Sequence, residues 1–309
     1  MFIRQQAFFF LPQSEIKTYN MKNVIAVLLL TCFFLEAFAQ KQERQLLVYN
    51  ALLGGITAGV GAAINKPKGA QLGRTMINAF WQGCLGGSIN FSAKKTLYLI
   101  TRDEQVAYAL PARILHAAGN SIIENAAFNR PFLQSWNIDY GPVRFDFSLG
   151  KNRSFKARFL PATIFAVYLG WRDATIDVPY SLYSGTFCFR SKNELVTGLD
   201  GNLYSGYAFA RSYTYAPLEN QFKYRTIAHE LVHIMQYRDY QVLNTWIAPL
   251  AGKMKNGKVK RLFDKYVYLD LPYFWLFNVL QGRHSLPDYF KNFYEFEAER
   301  FSTNTTVNR

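Results

Sequence analysis

A chain of 309 residues, half of them hydrophobic and 17% aromatic, is long enough to bury one large core or two small ones. That composition excludes a disordered or low-complexity protein. The 35 Lys and Arg against 21 Asp and Glu leave a formal charge of +14, which suits an anionic partner such as lipid head groups or an acidic substrate.

The N-terminus reads as an export signal that begins at Met21. Lys22 supplies the basic start, Val24 to Leu35 the apolar run, and Ala37-Phe38-Ala39 the small residues that signal peptidase reads. Residues 1–20 are then an upstream extension, and cleavage is expected after Ala39. An uncleaved anchor is the alternative, although the run is shorter than the ~20 residues of a spanning helix. The layout resembles bacterial export signals, which places the mature protein in the periplasm, at the outer membrane surface or outside the cell. Export argues against nucleic acid as a partner, and no recognisable nucleic-acid-binding motif is present. Beyond Ala39 two cysteines remain, Cys84 and Cys188; one disulfide between them and two buried thiols are both compatible with an oxidising compartment.

The expected fold class is α+β, with Gly-rich N-terminal helices (40–130), a β-rich middle (131–216) and a C-terminal helical region (217–309), the last two reading as one domain. Leu46 to Ile64 is apolar and rich in small residues, with Gly55 and Gly59 in a GxxxG spacing that lets helices approach closely. AFWQGCLGGSINF follows across a polar link, and Lys94 and Lys95 interrupt it. This predicts a close-packed helical pair; a membrane placement also stays open, because the first stretch is just long enough to span. A further helix is expected over Glu104 to Asn125, with His116 in its core. From Pro131 the period changes to two: FDFSL and FKARF predict a hairpin, and TIFAVYLGW, GTFCFRS, ELVTGL and YAFARSYTYA continue the series as strands. Asp200-Gly201 signals a turn, and Asn220 is expected to cap the next helix.

That helix carries FKYRTIAHELVHIMQYRDY, with two of the chain's four histidines four residues apart. Positions i and i+4 lie one above the other, so His229 and His233 can point ring nitrogens at one ion. Glu230, about 100° round the helix, reaches a water on that ion without being a ligand. Ile227, Leu231, Ile234 and Met235 form a separate apolar stripe for the core. Catalytic zinc takes three protein ligands and a water, and NFYEFEAERFS offers Glu295, Glu297 and Glu299 for the third place. In a helix Glu295 and Glu299 share a face, while Glu297 points about 200° away from Glu295.

HELVH, followed some sixty residues later by EFEAERF, resembles the gluzincin zinc metallopeptidases of the HtpX and CAAX-processing type, whose second motif is a Glu, two residues, then Ala-Asp or a near variant. The resemblance covers these two motifs and implies Zn²⁺ held by His229, His233 and Glu295. It further implies that Glu299 stands where the family has Asp, steadying a ligand histidine through its other ring nitrogen, and that Glu230 is the catalytic base.

The function these features lead to is an exported zinc metallopeptidase-like hydrolase acting on peptide or protein substrates. The alternative is an envelope binding or scaffold protein whose metal site is vestigial or structural, and a fourth ligand from His284 or Glu299 would mark it. His284, Arg283, Tyr237 and Tyr240 are candidate oxyanion stabilisers, and Gln236 a structural hydrogen-bonding residue. The basic stretch Lys253 to Arg261, with Tyr273, Phe274 and Trp275 nearby, is compatible with an anionic membrane surface.

Overall fold

The computed structural model describes residues 41–149, 153–198, 201–253, 257–281 and 292–303, and Lys41–Arg309 is one compact unit. The expected signal segment, Asp200, Arg283 and His284 lie outside the described residues. The architecture is mixed α+β, with helices at both ends and a strand-rich middle.

Helices α1 (Lys41–Ile64) and α2 (Leu72–Thr96) form the expected pair. Their closest approach runs through glycines other than those of the GxxxG spacing. A Cβ on Gly83 would stand 2.3 Å from the Gly54 carbonyl oxygen, and one on Gly87 2.0 Å from that of Asn50, distances no side chain tolerates. Gly55 and Gly59 instead face the Phe80 side chain. Among the described residues α1 is the one helix long and apolar enough to cross a membrane, and half of its apolar window is buried inside the protein. Cys84 on α2 and Cys188 in the core are not joined by a disulfide.

The helix expected from Glu104 begins later. Glu104 has φ +52° and closes the short α3 (Tyr98–Asp103), a 3₁₀ turn follows, and α4 spans Ala109–Ala127. On α4, His116 is buried and meets Asp239 at 2.8 Å, a core role as the sequence suggested.

Strands β1 (Ser135–Tyr140), β2 (Val143–Ser148) and β3 (Ser154–Phe159) form an antiparallel sheet in that order. The predicted hairpin is β2–β3, with Phe147 opposite Phe155 and Val143 opposite Phe159. The inward face of this sheet is polar: Arg144 pairs with Glu124 at 2.6 Å and with Asp146 at 2.9 Å.

TIFAVYLGW is a helix, not a strand. It belongs to α5 (Pro161–Asp173), whose proline occupies the first turn, where its missing N–H and fixed φ cost nothing. The Asp270 carboxylate accepts from the Ala162 and Thr163 backbone N–H groups at 2.8 and 2.9 Å and from the Thr163 hydroxyl at 2.8 Å. This cap comes from more than a hundred residues away, so nothing local in the sequence announces it.

Next come β4 (Ala174–Ile176), α6 (Val178–Ser184), β5 (Phe187–Ser191), β6 (Val196–Thr197), β7 (Leu203–Tyr204), β8 (Gly206–Phe209) and β9 (Ser212–Tyr215). GTFCFRS supplies β5 and YAFARSYTYA the β8–β9 hairpin, while ELVTGL contributes the two-residue β6, which pairs with β7. The main sheet here runs β4-β5-β9-β8, so β8 is an outer strand.

The remaining helices are α7 (Asn220–Gln241), α8 (Asn244–Lys253), α9 (Lys258–Tyr266), α10 (Tyr273–Gln281) and α11 (Phe293–Thr303). Asn220 is not the cap of α7: Glu219 holds that position without a side-chain cap bond, and the Asn220 side chain accepts from Lys223 instead. Ile227, Leu231, Ile234 and Met235 are all buried, in one cluster with Phe296, Ala298 and Phe301 of α11. That shared core lays α11 along α7 and fixes which of its carboxylates meet the histidines.

Candidate metal centre

His229 and His233 present their Nε2 atoms 3.1 Å apart, and Glu295 Oε2 lies 3.2 Å from each. Zinc bonds of about 2.0–2.1 Å in a tetrahedron require ligand atoms about 3.3 Å apart. The three atoms therefore form one face of such a tetrahedron, and two imidazoles with a carboxylate suit zinc. Among the described residues the cluster consists of these three groups.

The electrostatics point the same way. Burial works against a charged His229, yet Glu295 and the nearby Glu299 carboxylate outweigh it and lift the imidazole to about 10. His233 is raised as well, because Glu295 outweighs its burial. Burial alone would raise the Glu295 carboxyl, but the two histidines hold it well below the usual range. A carboxylate oxygen between two imidazoles demands positive charge, and a metal ion entering here displaces protons.

Each of the other ring nitrogens faces a polar partner behind the site. Gln236 donates through its amide nitrogen to the Tyr294 carbonyl at 3.0 Å and to Glu297 at 2.8 Å. Its oxygen consequently faces His233 Nδ1, at 2.8 Å, so that Nδ1 carries the proton and Nε2 keeps its lone pair for a metal. Behind His229, Glu299 Oε2 stands 3.7 Å from Nδ1, an ion-pair distance rather than a hydrogen bond, and Glu299 is itself paired with Arg225. Glu299 thus lies on the side of His229 away from the ligand atoms and does not fill the fourth position.

Glu297 points away from the site, as its helical position requires. It is fully buried and accepts from Lys94 at 3.0 Å and Asn50 at 2.7 Å. Lys94 also meets Asp239 at 2.7 Å. The chain Gln236–Glu297–Lys94–Asp239–His116 ties the metal-facing edge of α7 to α2 and α4. The one sequence trace of this network is a lysine inside an otherwise apolar stretch.

Glu230 is buried at the side of the site, where burial raises its carboxyl and the two histidines partly offset the rise. The Ala208 backbone N–H of β8 donates to it. It lines a groove of about 300 Å³ together with Tyr204, Ser205, Gly206, His229 and Glu299. Gly206 gave no signal in the sequence, yet its place is exacting: a Cβ there would lie 2.6 Å from Glu230 Oε1 and 2.5 Å from Thr226 Cγ2. Gly206→Ala is expected to push the Glu230 carboxylate aside and to lower turnover by about 10-fold or more while zinc content stays unchanged, as measured by steady-state rates and metal analysis on the same preparation.

Two sequence candidates are placed elsewhere. The Tyr237 hydroxyl donates to the Asp270 carbonyl, and the Tyr240 hydroxyl bonds those of Tyr49 and Tyr294; both are core groups rather than oxyanion donors. No family model, curated protein or solved structure matches this chain.

Proposed function

We propose that the protein is a zinc-dependent hydrolase of peptide bonds, acting outside the cytoplasm as its signal-like N-terminus suggests. The observation that carries this reading is the convergence of His229, His233 and Glu295 at 3.1–3.2 Å beside a buried carboxylate that opens on a groove. Zinc, when bound, supplies a Lewis acid that polarises a carbonyl and acidifies water. Glu230 takes a proton from the attacking water and returns it to the departing amine. Burial raises the carboxyl, with the two histidines partly offsetting it, which makes Glu230 a stronger base than an exposed glutamate.

Substrate alignment falls to β8. This outer strand runs past Glu230 with Gly206 and Ala208 beside it, and an extended peptide pairing with its backbone would be held without a demand for particular side chains. The ligand set and the Glu299 position agree with the gluzincin pattern, and Glu299, which stands behind His229 at its Nδ1 rather than among the ligand atoms, is not a fourth ligand that would close the site.

Purified protein should hydrolyse denatured casein, lose that activity to a zinc chelator and regain it when zinc is restored. Zinc-loaded protein that cleaves no unfolded substrate would leave the structural-metal reading in its place.

A further inference from the structure

The three-stranded sheet is built inside out. Its polar residues, among them Asn137, Asp139 and Arg144, are buried, whereas Phe147, Phe155 and Phe159 on the other face are 40 to 58% exposed. The register sets these rings side by side, with Phe155 5.2 Å from Phe147 and 6.0 Å from Phe145. Contiguous apolar surface of this kind marks an interaction site.

Helix α9 continues the surface. Val267, just past its end, bridges to Phe159, and the Tyr268 N–H donates to the Phe159 carbonyl at 2.9 Å. The sequence KVKRLFDKY divides around the helix axis: Leu262, Phe263 and Tyr266 lie within about 100° of one another, and Lys258, Arg261 and Lys265 fall within about 60° of one another along one flank of that apolar arc. Leu262, Phe263 and Tyr266 are 43 to 59% exposed. A short helix with uncovered apolar residues and flanking cations is suited to lie in the plane of a bilayer surface, its apolar side among the acyl chains and its cations on the phosphates. Helix α1 also turns Val48, Leu52 and Ile56 outward, but it carries no cation from Gln45 to Ile64. The cations Lys258, Arg261 and Lys265 of α9, together with the net +14, distinguish this surface and its occupant.

We propose that the outer face of the β1–β3 sheet and helix α9 form a docking surface for an anionic lipid bilayer. The surface does not depend on the hydrolase reading, and protein carrying Glu295→Ala should bind the same membranes equally well.

The test is co-sedimentation with vesicles, using protein that begins at Gln40, since Lys41–Arg309 is a compact unit with its own core. Vesicles of phosphatidylcholine alone are compared with vesicles that also contain phosphatidylglycerol, at about 0.1 M salt, where screening reaches ~10 Å. Binding is expected to the phosphatidylglycerol vesicles and to weaken as salt rises. Replacing Lys258 and Arg261 by Ser should lower partitioning roughly 30-fold. Phe155→Ser with Leu262→Ser should lower it about 10-fold or more, with an unchanged melting temperature because both side chains are exposed. No binding to anionic vesicles, or binding indifferent to both pairs of substitutions, overturns the proposal. So does a wild type that ignores vesicles but self-associates and becomes monomeric with the Phe155→Ser, Leu262→Ser pair, for then a second copy is the occupant.

Discussion

Glu230→Gln is expected to lower kcat/KM on a peptide substrate by about 10²–10⁴-fold and to leave zinc content unchanged. The substitution keeps the shape of the side chain, and the new amide oxygen can still accept from the Ala208 N–H that holds the carboxylate now. What disappears is the ability to take a proton from water. Because His229, His233 and Glu295 come together independently of Glu230, metal analysis should not distinguish the variant from wild type. Unchanged turnover would remove Glu230 from the chemistry; lost zinc would show that Glu230 helps build the site instead.

The second large effect is on stability. Lys94→Met should destabilise the protein by about 3–5 kcal/mol, the usual consequence of removing one partner from a buried ion pair. Lys94 is 0% exposed and lies between Glu297 and Asp239, at 3.0 and 2.7 Å. Burial alone would lower its pKa, but the two carboxylates outweigh it and hold the amine charged. Without that ammonium two buried carboxylates face each other across the space it filled, and Glu297 is the group that orients Gln236 against His233. The melting temperature should fall by roughly 10 °C, and zinc should bind more weakly as His233 loses its fixed tautomer. A loss below about 1 kcal/mol, read by denaturant titration, would mean that the network relaxes without its central cation.

The parts of the fold that local spacing dictates were legible in the sequence. HELVH and EFEAER sit on helices whose periodicity decides that His229 and His233 share an edge, that Glu295 and Glu299 share another, and that Glu297 turns away. The alternation in FDFSL and FKARF likewise dictated the β2–β3 hairpin. What the sequence concealed depends on partners far along the chain. TIFAVYLGW reads as a strand because Val, Ile and aromatic residues favour one, yet Asp270 caps it as a helix from more than a hundred residues further along the chain. Gln236 reads as a structural hydrogen-bonding residue and Lys94 as a cation in an apolar stretch, but their partners exist only once α2, α7 and α11 are packed together. Gly206 matters because β8 passes against Glu230, a contact between segments that no spacing rule connects. The sheet's outward aromatic face was hidden for a related reason: alternation shows that two faces differ, but which one meets the core is decided by the buried arginines and carboxylates of its neighbours.

The most direct test of the metal centre is the zinc content of purified wild-type and Glu295→Ala proteins, measured after dialysis against metal-free buffer and readdition of zinc. The geometry predicts about one zinc per wild-type chain and a loss of tight binding when the Glu295 carboxylate is removed. Wild-type protein that takes up no zinc, or a Glu295→Ala variant that retains it fully, would contradict the three-ligand site.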